Sequence, residues 1–230
     1  MGAGAVSARG NSACSAGNTI TSVDTGGDVG RYTSITIGTD GLPVISYYSG
    51  SLQDLKVAKC GNGACSSGNT ITSVDTGGNV VGQYSSITIG TDGLPVISYY
   101  DATNHDLKVA KCGDASCTPA SATLNTVDPS AGDVGQYTSI TIGTDGFPVI
   151  SYYDGTNGNL KVAKCGDAAC TPASATLNTV DPSAGDVGQH TSITIGTDGF
   201  PVISYYDVTN THLKVAKCAN PFCLNNWSRR

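Results

Sequence analysis

The chain has 230 residues, of which only 13% are charged, with a net charge of −6 and 30 glycines. A chain of this length can bury a substantial core, and its sparse charge disfavours a disordered tail. It holds no basic cluster and no apolar run near the roughly 18 residues of a membrane span, so neither nucleic acid nor a helical membrane span is expected.

In chain order, Met1–Arg9 has no apolar core of signal-peptide length. Two origins stay open, a chain that begins after a removed signal and a fragment of a longer one. Asn18–Asp24 (NTITSVD) then reads as a strand with no partner strands ahead of it. The phrase SITIGTDGLPVISYYS follows at Ser34–Ser49 and recurs at Ser86–Asp101, Ser139–Asp154 and Ser192–Asp207, at spacings of 52, 53 and 53 residues. Fixed spacing marks an array of like units.

Each phrase reads as a hairpin. Ser-Ile-Thr-Ile alternates polar and β-branched residues with period two. In Gly-Thr-Asp-Gly the second glycine (Gly41, Gly93, Gly146, Gly199) can take the positive φ that a short bulged hairpin needs. Pro43, Pro95, Pro148 and Pro201 stand at the entrance of the return strand, where a missing N–H does little harm. The unit from Tyr137 to Gln189 is the easiest to parse. Its strands a and b are Ser139–Ile142 and Pro148–Tyr153, strand c is Leu160–Cys165, and strand d is about Ala175–Asp181. No stretch keeps a 3.6-residue period, so no helix is predicted.

Four short antiparallel strands in about 52 residues match one blade of a β-propeller. The expected fold is all-β, a four-bladed propeller of four-stranded antiparallel blades in one domain spanning 1–230. Its units are 32–83, 84–136, 137–189 and 190–223. The last unit has strands a, b and c but is too short for d. Pairing of Asn18–Asp24 with Leu213–Cys218 would then close the ring and remove both raw edges.

The repeat resembles the D-G-x-P-x-I-S-Y-Y-D type of bacterial β-propeller blade, and more distantly kelch and Asp-box propellers. The resemblance covers Asn18 to Cys218 and implies the fold. It implies little about activity, because propellers host lectins, hydrolases and scaffolds alike.

Nine cysteines in so polar a chain point to an oxidising compartment, extracellular or at the cell surface. Four C-x4-C pairs are expected to be local disulfides: Cys60 with Cys65, Cys112 with Cys117, Cys165 with Cys170, and Cys218 with Cys223. Zinc would need four converging ligands, which pairs on separate blades do not supply, so no metal site is expected. Cys14 is left free or caps another chain, with a bond from Cys14 to Cys218 as the alternative.

Alternate loops of such blades share a face. One face collects the b–c turns with Asp101, Asn104, Asp154, Asn157, Asp207 and Asn210, beside Tyr48, Tyr100, Tyr153 and Tyr206 at the ends of strand b. Aromatic plates next to directional polar groups suit a sugar or peptide ligand, although packing and turn chemistry alone also place these residue types here. The other face carries Asp40, Asp92, Asp145 and Asp198, the usual Asp-Gly turn residues. The serines or threonines of strand a could ring an axial ion or water; no other cofactor is expected.

Catalysis finds little support. His105, His190 and His212 lie at unrelated repeat positions, glutamate is absent, and no nucleophile or phosphate motif occurs. The leading reading is a non-catalytic extracellular binding module, lectin-like, with repeated inter-blade sites for a glycan or cell-surface ligand. The alternative is a structural or surface-assembly propeller without a small-molecule ligand, its chains linked by an unpaired cysteine or by domain exchange. A glycoside hydrolase-type enzyme is the weakest of the three.

Overall fold

The computed structural model describes residues 17–224, and all regular structure among them is strand. The first sheet is β1 (Val29–Ile37), β2 (Pro43–Ser49), β3 (Asp54–Lys59) and β4 (Thr70–Asp75). The second is β5 (Val81–Ile89), β6 (Pro95–Asp101), β7 (Asp106–Lys111) and β8 (Thr123–Asp128). β9 (Val134–Ile142), β10 (Pro148–Asp154), β11 (Asn159–Lys164) and β12 (Thr176–Asp181) form the third. The fourth has three strands, β13 (Val187–Ile195), β14 (Pro201–Asp207) and β15 (His212–Lys217). Every pairing is antiparallel between sequence neighbours, so each sheet is a meander.

The local signals act as the residues dictate. Gly41 turns the first hairpin at φ 77°, and each return strand opens at its proline. The first strand of each unit is longer than alternation predicts, Val134–Ile142 instead of Ser139–Ile142. Gly135 and Tyr137 both take positive φ, 103° and 51°, and the register against β10 shifts twice there. Two bulges break the period-two pattern without ending the pairing.

The four expected disulfides form: Cys60 with Cys65, Cys112 with Cys117, Cys165 with Cys170, and Cys218 with Cys223, at Cα separations of 4.7–4.8 Å. The second cysteine of each pair, Cys65, Cys117, Cys170 and Cys223, has left-handed backbone, with φ of 50°, 54°, 54° and 52°. Their amides donate back to the carbonyls of Asn62, Asp114, Asp167 and Asn220 at 3.0–3.3 Å. The short loop is therefore a tight turn, and the left-handed exit returns the second sulfur to the first. Cys14 lies outside the described residues.

The sheets stack in chain order, with β1, β5, β9 and β13 lying against one another in sequence. The hydroxyls of Ser34, Ser86 and Ser139 accept the amide N–H of Ile87, Ile140 and Ile193 on the next sheet's first strand, at 3.1–3.2 Å. Apolar residues then fill each joint. In the second joint, Val96, Leu107 and Val109 of one sheet meet Ile140, Ile150 and Tyr152 of the next. Contact is close enough to demand glycine: a Cβ on Gly135 would lie 2.6 Å from the Cα of Leu107, and Gly82 and Gly188 approach Leu55 and Leu160 likewise.

One polar cluster crosses every joint. Asp75 at the end of β4 accepts the Tyr99 hydroxyl at 2.8 Å and the Lys108 ammonium at 2.5 Å, both from the second sheet. Asp128 holds Tyr152 (2.7 Å) and Lys161 (2.6 Å), and Asp181 holds Tyr205 (2.6 Å) and Lys214 (2.5 Å). Each of these lysines also sits 5.6 Å from the ring centre of its tyrosine, a cation–π distance. Asp24 makes the same contacts to Tyr47 (2.6 Å) and Lys56 (2.5 Å). The segment carrying Asp24 therefore holds the place of a fourth strand belonging to a unit ahead of the first.

The expected ring closure is not shown. Residues 18–24 form no strand, and among the described residues β15 pairs with β14 alone. Asp24 anchors its segment to the first sheet from one side, while the fourth sheet keeps an open edge. The all-β, sheet-by-sheet architecture stands without that closing pair.

Asp128 is fully buried, so Asp128→Ala leaves Lys161, whose side chain is only 12% exposed, without its counter-charge. The expected loss is about 3–5 kcal/mol in chemical denaturation, and an unchanged midpoint would refute the clamp. A pH dependence follows too. Burial works against ionisation of Asp24, but Lys56, the Tyr47 hydroxyl and the Gly26 amide outweigh it and hold the carboxyl at about 2. Asp128 and Asp181 are lowered by the same balance of burial against Lys161 and Lys214. Carboxyls depressed in the folded state contribute stability above their unfolded value and lose it as pH falls. The melting temperature should therefore drop as pH falls from about 4 to about 2.

Candidate functional site

The bulge on each first strand fixes an aromatic residue in an unusual backbone conformation. Tyr32, Tyr84, Tyr137 and His190 have φ of 53°, 55°, 51° and 53°. Left-handed backbone is uncommon for any residue but glycine and costs on the order of 1–3 kcal/mol in a bulky one. The same slot carries it in all four units. Gly30, Gly82, Gly135 and Gly188 precede it by two residues, also at positive φ, so the paired distortion re-aims the ring.

The four rings form one ladder across the sheets. Centroids of Tyr32 and Tyr84 are 4.5 Å apart, those of Tyr84 and Tyr137 4.5 Å, and those of Tyr137 and His190 4.4 Å, with tilts of 47–52°. Such tilted contacts are favourable by about 0.5–1.5 kcal/mol each. With Thr33, Ser85, Thr138 and Thr191 between them, the rings line a shallow groove of about 290 Å³. Tyr32 and His190 at its ends are exposed, and Tyr84 and Tyr137 are half-buried.

A second aromatic row supports the first. Tyr48, Tyr100, Tyr153 and Tyr206 lie 6.1–6.4 Å from the ladder rings. The Tyr100 hydroxyl donates to Asp133 Oδ1 at 2.6 Å and is 2.8 Å from His105 Nδ1. Tyr153 donates to Asp186 Oδ1 at 2.7 Å. Gln136 and Gln189 donate to the other oxygens of these carboxylates, at 2.7 and 3.4 Å. Burial, followed by the neighbouring carboxylate, pushes the Tyr100 phenol up and brings that of Tyr153 to about 12. Burial and then the adjacent tyrosines push up Tyr84. The phenols therefore stay protonated, as hydrogen-bond donors, at neutral pH. The pattern is not uniform: Arg31 pairs with Asp28 at 2.7 Å, and Val80 stands where later units have Asp133 and Asp186.

The sequence-predicted residues divide into two groups. Tyr48, Tyr100 and Tyr153 are buried and Tyr206 is half-buried; all four touch the ladder. Asp101, Asp154 and Asp207 are buried within their own turns. Asp101 Oδ1 accepts the amides of Thr103 and Asn104 at 3.0 Å, and the Asn104 side chain donates to its other oxygen at 2.9 Å. Asn157 and Asn210 bond Asp154 and Asp207 in the same way. These polar groups tie the turn and do not join the aromatic groove. At the opposite end, Asp40, Asp92, Asp145 and Asp198 are ion-paired with Lys59, Lys111, Lys164 and Lys217 at 2.7–2.9 Å. Every lysine of the chain is thus matched to an aspartate, which leaves no lysine cluster for an anionic ligand.

The ladder itself was missed as a site in the sequence. Its available signal was an aromatic residue two positions after a recurring glycine, at the slot where histidine replaces tyrosine once.

Comparison with known proteins gives fold and no family. No family model matches the chain, and no curated protein does. Among solved structures, it is similar to a protein of unknown function from Dyadobacter fermentans, at 13% identity and a TM-score of 0.65, over 82% of this chain and 52% of that one. It is similar to an endo-arabinase from Bacteroides thetaiotaomicron at 14% identity and a TM-score of 0.53, over 82% of this chain and 74% of the enzyme. A GH43 β-1,3-galactosidase aligns at 11% identity and a TM-score of 0.52, over 81% of this chain and 42% of that one. The chain spans about half the length of the first of these. The likeness shows a propeller-like fold.

The strained ladder yields a stability prediction. Tyr137→Gly relieves about 1–3 kcal/mol of backbone strain while losing three ring contacts, to Tyr84, Tyr153 and His190, of about 0.5–1.5 kcal/mol each. Its unfolding free energy should therefore fall by only about 1 kcal/mol, the difference between the midpoints of these opposing ranges. A loss above about 3 kcal/mol would show that the ring is an ordinary core residue.

Proposed function

We propose that the chain is a non-catalytic, extracellular glycan-binding module that uses repeated inter-blade sites along the tyrosine ladder. The observation that carries this is the row Tyr32–Tyr84–Tyr137–His190, exposed at its two ends and half-buried between them, held in costly backbone geometry four times over. Sugars offer apolar C–H faces and many hydroxyls, which suit aromatic rings interleaved with hydroxyl side chains. Thr33, Ser85, Thr138 and Thr191 line the groove between the rings, and Asp133 with Gln136 and Asp186 with Gln189 hold the supporting tyrosines at two successive joints. Several modest sites in register would raise avidity for a chain of sugar residues.

Carbohydrate-active enzymes among the structural neighbours support a glycan ligand only at the level of fold. The non-catalytic reading rests on this chain's own chemistry. Its candidate carboxylates are tied to tyrosine hydroxyls and glutamines, and glutamate is absent from the sequence. The reading requires no metal or other cofactor. Four disulfides favour a secreted location. The surface-assembly reading keeps one specific observation in its favour, the open edge of β15.

A glycan array probed with the purified chain should show binding to a neutral oligosaccharide class. Tyr84→Ala with Tyr137→Ala should reduce that signal at least tenfold, while Asn104→Ala leaves it within twofold. Silence across the array, or equal loss from both variants, overturns the proposal.

A further inference from the structure

The two ends of the sheet stack are the two halves of a joint that the interior makes three times. In the interior, Leu55, Leu107 and Leu160 are fully buried, as are Val57, Val109 and Val162. Their counterparts in the last unit, Leu213 and Val215, are 79% and 61% exposed. On the receiving side, Ile87, Ile140 and Ile193 are buried, whereas Ile35 of the first unit is 62% exposed. Gly82, Gly135 and Gly188 press on the leucine backbone of the preceding sheet, whereas Gly30 at the same slot has no atom within 4 Å of its Cβ position. The hairpin glycines agree: Gly93, Gly146 and Gly199 touch Thr39, Thr91 and Thr144, and Gly41 touches nothing. An open groove of about 210 Å³ lined by Val23, Val29, Gly30, Ile45, Tyr47 and Ala58 fronts the first sheet.

The missing strand is also present in the sequence. Residues 18–24 read NTITSVD, identical to 69–75, whose β4 portion pairs with β3. β15, HLKVAK, differs from β3, DLKVAK, at its first residue only. Asp24 already holds its segment on the first sheet through Tyr47 and Lys56, and residues 18–20 ahead of it are exposed.

We propose that two copies of this chain join head to tail, residues 18–24 of each copy completing the β13–β14–β15 sheet of the other. The register of β3 with β4 carries over, so Leu213 meets Asp24, Val215 meets Thr21 and Lys217 meets Thr19 of the second copy. Leu213 then seats on Gly30 of the other chain, and both unpaired edges vanish. A second copy is favoured over the chain's own first unit because the two ends do not pair within one chain, where Gly30 stands clear and Leu213 is exposed. Two copies of four units make a ring of eight, within the usual range of four to eight blades for a propeller. Two identical joints related by a two-fold axis close such a ring, so growth stops at two copies. This inference stands apart from the glycan reading, although the joint would also bring His190 of one copy beside Tyr32 of the other.

Light scattering on the purified chain should give twice the 23.2 kDa chain mass. Leu213→Asp, at a site exposed in the single chain, should halve that mass with unchanged circular dichroism. In a Cys14→Ser background, Thr21→Cys and Val215→Cys are made in separate chains, mixed and oxidised. A cross-linked pair containing one of each is the expected product. A monomer of the parent chain, an assembly larger than two, or a Leu213→Asp variant of unchanged mass overturns the proposal. So does a chain bearing both substitutions that links internally.

Discussion

The structure depends on one buried contact, an aspartate on the last strand of each sheet gripping a tyrosine and a lysine of the next. Adjacent sheets otherwise meet through aliphatic side chains, which resist separation but specify sliding and rotation poorly. A carboxylate that must satisfy a phenol and an ammonium together has one acceptable placement. It is also expensive to leave unmade, because each charge is desolvated. The clamp thus sets how far one sheet is displaced from the next. Repetition of that displacement brings the first strands into a row.

The ladder is a consequence of that row. Sheet spacing at the first strands brings rings from equivalent slots within 4.4–4.5 Å. A tyrosine in ordinary strand geometry would alternate into the joint or away from it. The bulge at Gly135 and Tyr137 instead turns the ring along the stack, at a cost in backbone strain. Distortion repeated four times in an otherwise regular sheet is better explained by what it displays than by what it stabilises. The polar groups nearby fit the same logic, since Asp133 and Asp186 orient the supporting tyrosines beneath the ladder.

What the sequence made legible was local. Alternation, Asp-Gly and the strand-entry prolines placed every hairpin, and the C-x4-C spacing placed every described disulfide, though not the left-handed backbone at Cys65, Cys117, Cys170 and Cys223. Contacts between units were not legible. Nothing adjacent to Asp128 in the chain announces Tyr152 or Lys161, which lie 24 and 33 residues away. Asp101 and Asn104 looked available because turn residues and ligand-binding residues are the same types, and only coordinates show that their oxygens are spent. Tyr137 was hidden for the opposite reason: side-chain identity does not reveal a left-handed backbone.

The open edge separates what a repeat specifies from what an array specifies. Every unit carries both halves of a joint, a leucine to offer and a glycine to receive it, whatever its position in the chain. Repeat arrays that end in solvent usually replace those halves with polar caps. Here the outermost halves, Leu213 with Val215 and Gly30 with Ile35, keep their interior identity while exposed. Exposed strand edges are ordinarily blunted by charge, proline or a bulge, because they recruit other strands. β15 has lysines at two of its six positions, but Lys214 is drawn back to Asp181 and Lys217 to Asp198. Those ion pairs neutralise the charges that would have guarded the edge. The clamp that binds the units together therefore also leaves the last of them ready to accept a strand.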